Sequence, residues 1–310
     1  MLKLIQNEWM KLWSKKATWV MVILIAAMIV GLSGLSKLLH GLNDYSSWNE
    51  SLQQELVQVE EELKASDVTE EKKAELLQRQ EEIEYNIESN IEMSKPKSSE
   101  EVILETPGMM SLVMLFMIIA AAGIVASEFS QGTIKMLLSR PVKRWKILTS
   151  KYVTVLLFGL TLTVITYVAS VVSAYIFYSP TEGNSVLFYD SEIAATAVFG
   201  ESIYLVLLAF VFVAVMSTLA FMIGSVFRST ALSIGISLFL YFTGSMIVMF
   251  LERFEIAKFI LFAHDLSQYE TGYKILASNT MPFSIAVLFA YVVVFLVISY
   301  TTFMKRDITA

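Results

Sequence analysis

An all-α integral membrane protein, with six helices crossing a bilayer, is the fold class that this 310-residue sequence predicts. Three observations carry the prediction. The chain is 55% hydrophobic and only 17% charged, with a mean hydropathy of +0.61, whereas a soluble domain carries about a quarter charged residues. Its apolar residues gather in six runs, each near the roughly 20 helical residues that a hydrocarbon core about 30 Å thick requires. The basic residues cluster between alternate runs. The same composition excludes an ordinary soluble enzyme and whole-chain disorder. The absence of cysteine excludes disulfides and thiolate metal sites, and two histidines, His40 and His264, are too few for a histidine-rich metal site.

Residues 1–16 read MLKLIQNEWMKLWSKK. Leu2, Ile5, Trp9, Leu12 and Trp13 fall on one helical face, with Glu8 and the lysines largely off it. This pattern predicts an amphipathic interfacial helix, with Trp9 and Trp13 at headgroup depth; a plain extension of the first span fits the same residues. The first span covers 17–36. It is longer than the apolar core of a secretory signal, so it is expected to be retained.

Residues 40–106 form an acidic insert. Between His40 and Pro107 lie 18 acidic and 6 basic residues, against 11 acidic and 17 basic in the rest of the chain, so the net charge of −6 describes this insert rather than the whole. Leu52, Leu56, Val59 and Leu63 repeat as a heptad seam. Asp67 and Glu70 have capping-box spacing before a second stripe, Leu76, Ile83, Ile87 and Ile91. Two helices, Trp48–Ala65 and Val68–Met93, are expected to pair as a helical hairpin or coiled coil. Lys95 to Ser99 then break the pattern. Such a hairpin suits a solvated spacer, or a docking surface for a cationic ligand or second subunit.

The second span is read at 107–127 and the third at 152–178, joined by a basic loop at 128–151. The fourth span, 200–227, follows a base-free loop at 179–199, and the fifth occupies 231–251. Gly235, Ser237 and Gly244 on the fifth are read as ordinary packing. The next loop, 252–281, contains Phe254–Ala263, too short to span and therefore re-entrant or interfacial. His264 and Asp265 end it as caps rather than metal ligands. The sixth span, 282–304, leads into the tail, 305–310.

Orientation follows from Lys and Arg in short loops. Thirteen bases lie on the side shared by the two termini, the 128–151 loop and Arg228. The opposite side has a base-free loop, and a last loop in which Arg253, Lys258 and Lys274 face Glu252, Glu255, Asp265 and Glu270. Both termini are therefore expected to be cytoplasmic and the acidic hairpin extracytoplasmic. The chain has no phosphate-binding G-x-x-x-x-G-K-[ST], no G-x-S-x-G and no H-E-x-x-H. Glu201 is the exception in spans otherwise nearly free of ionisable groups, which argues against an ion-coupled transporter. No catalytic, cofactor-binding or metal-binding residue is assigned, nor any nucleic-acid partner. Uphill work would need a partner.

The richest segment is Ser127–Lys151, SEFSQGTIKMLLSRPVKRWKILTSK. It carries six bases, helical apolar spacing at Ile134, Leu137 and Leu138, a turn residue at Gly132 and a stop at Pro141. It resembles the permease subunit of ABC transporters of the ABC-2 type, a bacterial exporter family. Glu128, Gly132, Thr133, Leu137, Leu138, Ser139, Arg140, Pro141, Val142, Arg144 and Lys151 stand at the matching positions, and Asn7–Lys16 (NEWMKLWSKK) resembles the family's start. The resemblance covers the whole topology; the long acidic insert departs from the minimal pattern. It implies six helices in an ABC-2, type V exporter-like architecture in the bacterial cytoplasmic membrane. It also implies a second permease copy or a sister permease, and a separate cytoplasmic ATPase subunit that binds ATP and Mg. The ATPase-coupling residues would be Glu128, Gly132, Thr133, Lys135, Arg140, Pro141 and Arg144, and the cargo a peptide antibiotic, drug or other amphipath. Arg140, Lys143 and Arg144 suit anionic lipid equally well, at about 1 kcal/mol each. The alternative from another class is a membrane sensor or scaffold whose outer hairpin binds a ligand or envelope protein.

Overall fold

The first helix, α1 (Leu2–Trp13), lies against the bundle and hands the chain to α2 (Lys16–Leu42) through a tight turn at Ser14 and Lys15. In this computed structural model residues 1–42, 45–64, 97–133, 142–181, 183–188, 191–227, 229–270, 274–276 and 278–305 are described, with 72–73, 76–77, 79–80, 83–85 and 87. Six helices among them are long and apolar enough to cross a membrane, at Lys16–Leu39, Thr106–Ser130, Arg144–Phe177, Ala195–Val226, Thr230–Leu251 and Met281–Lys305. The protein is a multi-pass membrane protein.

Helix α3 (Tyr45–Lys64) follows the first span. Leu52 and Val59 are buried with Leu76 and Ile83, and Leu56, Leu63 and Ile87 pack against them. Arg79 pairs with Glu55 at 2.7 Å. The two sequence stripes therefore meet. Most of Val68–Met93, the expected second helix, lies outside the described residues, as does the Asp67–Glu70 capping box.

The chain re-enters through a short helix, α4 (Ser99–Leu104), that the sequence reading passed over. Its signal was present: the Ser98 hydroxyl accepts from the Glu101 N–H, and the Glu101 carboxylate accepts from the Ser98 N–H, both at 3.2 Å. A 3₁₀ turn, Thr106–Met109, then leads into α5 (Met110–Ser130). Helix α6 (Arg144–Phe177) is 34 residues long, or about 51 Å at 1.5 Å per residue. It is therefore longer than the roughly 20 residues that a span requires. The connection between α5 and α6 is thus residues 131–143, narrower than the 128–151 interval read from the sequence. Apolar content marks where the membrane ends, whereas backbone hydrogen bonding marks where the helix ends.

Beyond α6 a two-stranded antiparallel ribbon departs from the all-α expectation. β1 (Ser185–Phe188) pairs with β2 (Ser191–Ala194), with Ser185 opposite Ala194 and Phe188 opposite Ser191. Strands of four residues carry too little alternation to be read in advance. Val186 seats the ribbon on Val102, Ile103 and Leu104 of α4 and on Val198. Helices α7 (Val198–Val226), α8 (Thr230–Leu251) and α9 (Met281–Lys305) complete the bundle. The segment Phe254–Ala263 forms 3₁₀ turns, Glu255–Phe259 and Leu261–Ala263, in place of one interfacial helix.

Helices α5 and α7 are the most buried spans, and α2, α8 and α9 leave broad apolar faces exposed. The close pairing of α5 with α7 depends on Gly224, where a Cβ would stand 2.3 Å from the Ala122 carbonyl oxygen. Gly244 likewise receives the Phe262 ring, whereas Gly235 faces open space. Buried hydroxyls join helices where apolar packing gives no directional hold. Thr106 bonds Ser170 at 2.8 Å, Ser33 bonds Ser173 at 3.1 Å, and Tyr152 bonds Thr218 at 3.0 Å.

Candidate functional site

The charged residues of highest burial meet where α1, α5 and α6 converge. Lys151 lies two turns into α6 and is fully enclosed, at 0% exposure. Its ammonium donates to Glu8 of α1 at 2.8 Å and to Glu128 of α5 at 2.7 Å. Lys11, one turn past Glu8 on α1, donates to the same Glu128 oxygen. Glu8 is only 6% and Glu128 only 2% exposed, whereas the Lys11 side chain remains half-exposed. An isolated buried ion costs several kcal/mol in desolvation, and only close pairing with satisfied hydrogen bonds offsets it. Burial of Lys151 is therefore conditional on Glu8 and Glu128 arriving from two other helices. The cluster tests whether three elements are seated together.

Local sequence explains how each group arrives. Ile5, Glu8 and Leu12 follow helical spacing on the face of α1 that meets α6, and the Ile5 carbonyl accepts from the Thr154 hydroxyl at 3.5 Å. The Thr18 hydroxyl donates to the Leu12 carbonyl at 2.6 Å and fixes the turn into α2. This corrects the sequence reading of the amino-terminal helix. Glu8, read as largely off the apolar face, sits on the buried one. Trp9 and Trp13 pack against the helical core, with Trp13 and Phe158 ring centroids 6.0 Å apart. A buried ion pair reverses the usual expectation that a glutamate marks the wet face.

Glu128 stands two residues before α5 ends, and Gly132 ends that helix in the left-handed region, φ 69°. Its N–H donates to the Phe129 carbonyl at 3.2 Å, the closing bond that favours glycine just past a helix. Thr133 reaches the Glu128 carbonyl at 3.4 Å. Arg144 opens α6, and its guanidinium donates to the Met304 carbonyl at 3.3 Å near the end of α9. Of the residues proposed from sequence, Glu128, Gly132, Thr133 and Arg144 therefore flank one connection. Lys135, Arg140 and Pro141 lie outside the described residues. Lys151 entered the sequence reading only as a motif position, and Glu8 was missed. The available signal was a lone acid inside an otherwise basic amphipathic helix.

A cavity of about 190 Å³ opens beside the cluster between α1, α2, α5, α6 and α8. Glu8, Lys11 and Lys15 line its polar end, and Gly123, Phe158 and Ile234 its apolar end. Burial lowers the Lys15 pKa, and the positive Lys11 and Lys151 lower it further. The arrangement is an ion cluster in which Lys151 joins Glu8 of α1 and Glu128 of α5 to α6.

A family model described as "Protein of unknown function (DUF2705)" matches residues 72–309. Uncharacterized protein YhcI of Bacillus subtilis (strain 168) is 36% identical over 314 residues, covering 99% of both chains. Uncharacterized membrane protein YdbK of the same organism is 31% identical over 209 residues, 66% of this chain and 80% of that one.

Proposed function

This chain belongs to the DUF2705 family, and we propose that it is the permease subunit of an ATP-driven exporter of the ABC-2 type. On this reading the six spans adopt the ABC-2, type V exporter-like architecture in the bacterial cytoplasmic membrane. Both termini are cytoplasmic, and residues 40–106 form the extracytoplasmic hairpin. Two permeases, identical or sister, carry two cytoplasmic ATPase subunits that bind ATP and Mg. The cargo is a peptide antibiotic, drug or other amphipath.

One observation carries the proposal: the Glu8–Lys151–Glu128 joint ties both ends of the basic connection 131–143 to the amino-terminal helix. A peripheral ATPase pressing on that connection would move α5, α6 and α1 together, because packed elements shift as rigid bodies rather than deforming. Glu128 acts as the pivot and Arg144 ties the motion to α9. Gly132 and Thr133 set the exit angle of the connection. Thirteen bases on the same side of the sequence support the orientation.

The test is to co-express the chain with its cognate ATPase and measure membrane ATPase activity and cargo efflux. Glu128→Gln is expected to leave the two subunits bound and to abolish efflux. The sensor reading makes the opposite forecast: deletion of residues 48–93 abolishes function, and Glu128→Gln is silent.

A further inference from the structure

At the opposite end of α5, a full helix length from the ion joint, lies a larger cavity of about 620 Å³. That is within the range of about 300–1,000 Å³ typical of sites for drug-sized molecules. Its walls combine thioethers and aromatic rings, Met110 and Met114 from α5, Phe212 from α7, Tyr241 from α8 and Phe188 from β1, with the hydroxyls of Ser111 and Ser267 among them. Two carboxylates, Glu105 and Asp265, also line the cavity. The two differ. Glu105 is exposed and already bridged to Lys97 at 2.5 Å. Asp265 has no ion-pair partner among the described residues. One of its oxygens accepts from the Ser267 N–H at 3.0 Å and the Ser267 hydroxyl at 2.8 Å. Burial pushes its pKa up, against the pull of those two bonds, as fits a carboxylate short of countercharge.

The rings, thioethers and carboxylates favour the same ligand chemistry. Aromatic faces attract a cation within about 6 Å. Thioethers are polarisable and adapt to irregular apolar shapes. A carboxylate in a medium of reduced dielectric interacts more strongly with an arriving cation than it would in water. A bare inorganic cation would gain nothing from the apolar walls, and an anion would meet two negative groups.

We propose that this cavity binds a monovalent amphipathic organic cation, with its apolar body against Met110, Met114 and Phe212 and its charged centre against Asp265. As the cargo site of an exporter this assignment rests on the permease reading; as a binding site it does not.

The experiment uses the purified full-length chain in mild detergent and two probes of one shape and opposite charge, tetraphenylphosphonium and tetraphenylborate. Equilibrium dialysis is expected to show saturable one-to-one binding of the cation and no competition by the anion. Asp265→Asn keeps a side chain able to cap the Ser267 turn and is expected to weaken the cation at least tenfold. Glu105→Gln is expected to change it less than twofold. Tyr241→Leu leaves the cap untouched and is expected to weaken binding at least threefold, which covers the case of a misfolded Asp265 variant. Equal binding of both probes, or cation binding unaltered by both Asp265→Asn and Tyr241→Leu, overturns the proposal. Absence of cation binding in a preparation that retains a cognate ATPase overturns this site alone. Asp265-dependent binding to a chain that recruits no ATPase sinks the permease reading and leaves the site standing.

Discussion

Replacing Lys151 by Met isolates the electrostatic role of the ion joint, because Met has similar bulk and no charge. Lys151 makes two charge-assisted contacts, at 2.8 Å to Glu8 and 2.7 Å to Glu128. In the variant Glu128 keeps Lys11, but Glu8 becomes an unpaired carboxylate in a site that shields all but 6% of its surface. Breaking a buried pair by removing one partner costs about 3–5 kcal/mol. The cheapest escape is for α1 to leave the bundle and hydrate Glu8. At 1.4 kcal/mol per factor of ten, even about 3 kcal/mol raises the undocked population more than a hundredfold. The chain has no cysteine, so a single Leu12→Cys reports this opening by thiol labelling at a position only 8% exposed. Labelling is expected to accelerate by about that factor in Lys151→Met. Adding Glu8→Gln removes the stranded charge and is expected to restore most of the protection, giving a coupling of about 2 kcal/mol or more between the two positions. Unchanged labelling in Lys151→Met would refute the reasoning, as would a double variant that opens more than the single one.

Three further outcomes follow from local geometry. Gly224→Ala places a Cβ 2.3 Å from a backbone oxygen that cannot turn aside; thermal unfolding in detergent is expected to show a loss of about 1–3 kcal/mol or more, while Gly235→Ala, facing open space, is neutral or stabilising by up to about 1 kcal/mol. Ser98→Ala removes the capping box of α4 and is expected to cost about 1 kcal/mol, read as faster amide exchange across Ser99–Leu104. Burial holds the His264 imidazole below its ordinary 6.5, so the unfolded chain takes up a proton first; stability contributed here is present above pH 6.5 and falls as pH drops from there toward the folded value, and amide exchange over 260–269 is expected to rise on acidification in the native chain and to lose that pH step in His264→Gln.

The sequence discloses the spans because a bilayer imposes a length and a polarity that no other setting demands over six segments. The amino-terminal helix was legible as a helix, but the place of Glu8 on its buried face was not. Its apolar face was counted from Leu2 and Trp9, and nothing in its sixteen residues reveals that Glu8 would find a lysine at position 151. Such a pairing is a tertiary fact, fixed by the meeting of helices far apart in the chain. Glu128 and Gly132 were accessible, one as a charge at a span's edge and the other as a helix terminator. The cavity around Asp265 was not, since it draws on five separate segments, two of them a ribbon and a run of 3₁₀ turns that carry almost no periodic signal.

The central claim is that this chain borrows force through the connection between α5 and α6. It is tested most directly by installing a photo-crosslinking residue at Thr133, next to Gly132, and recovering the chain from its native membrane. The account predicts that a single cytoplasmic ATP-hydrolysing protein is captured at that position and that capture changes when ATP is bound. Crosslinking of Thr133 to an extracytoplasmic reagent instead, or transport by the lone chain in sealed vesicles, would contradict it.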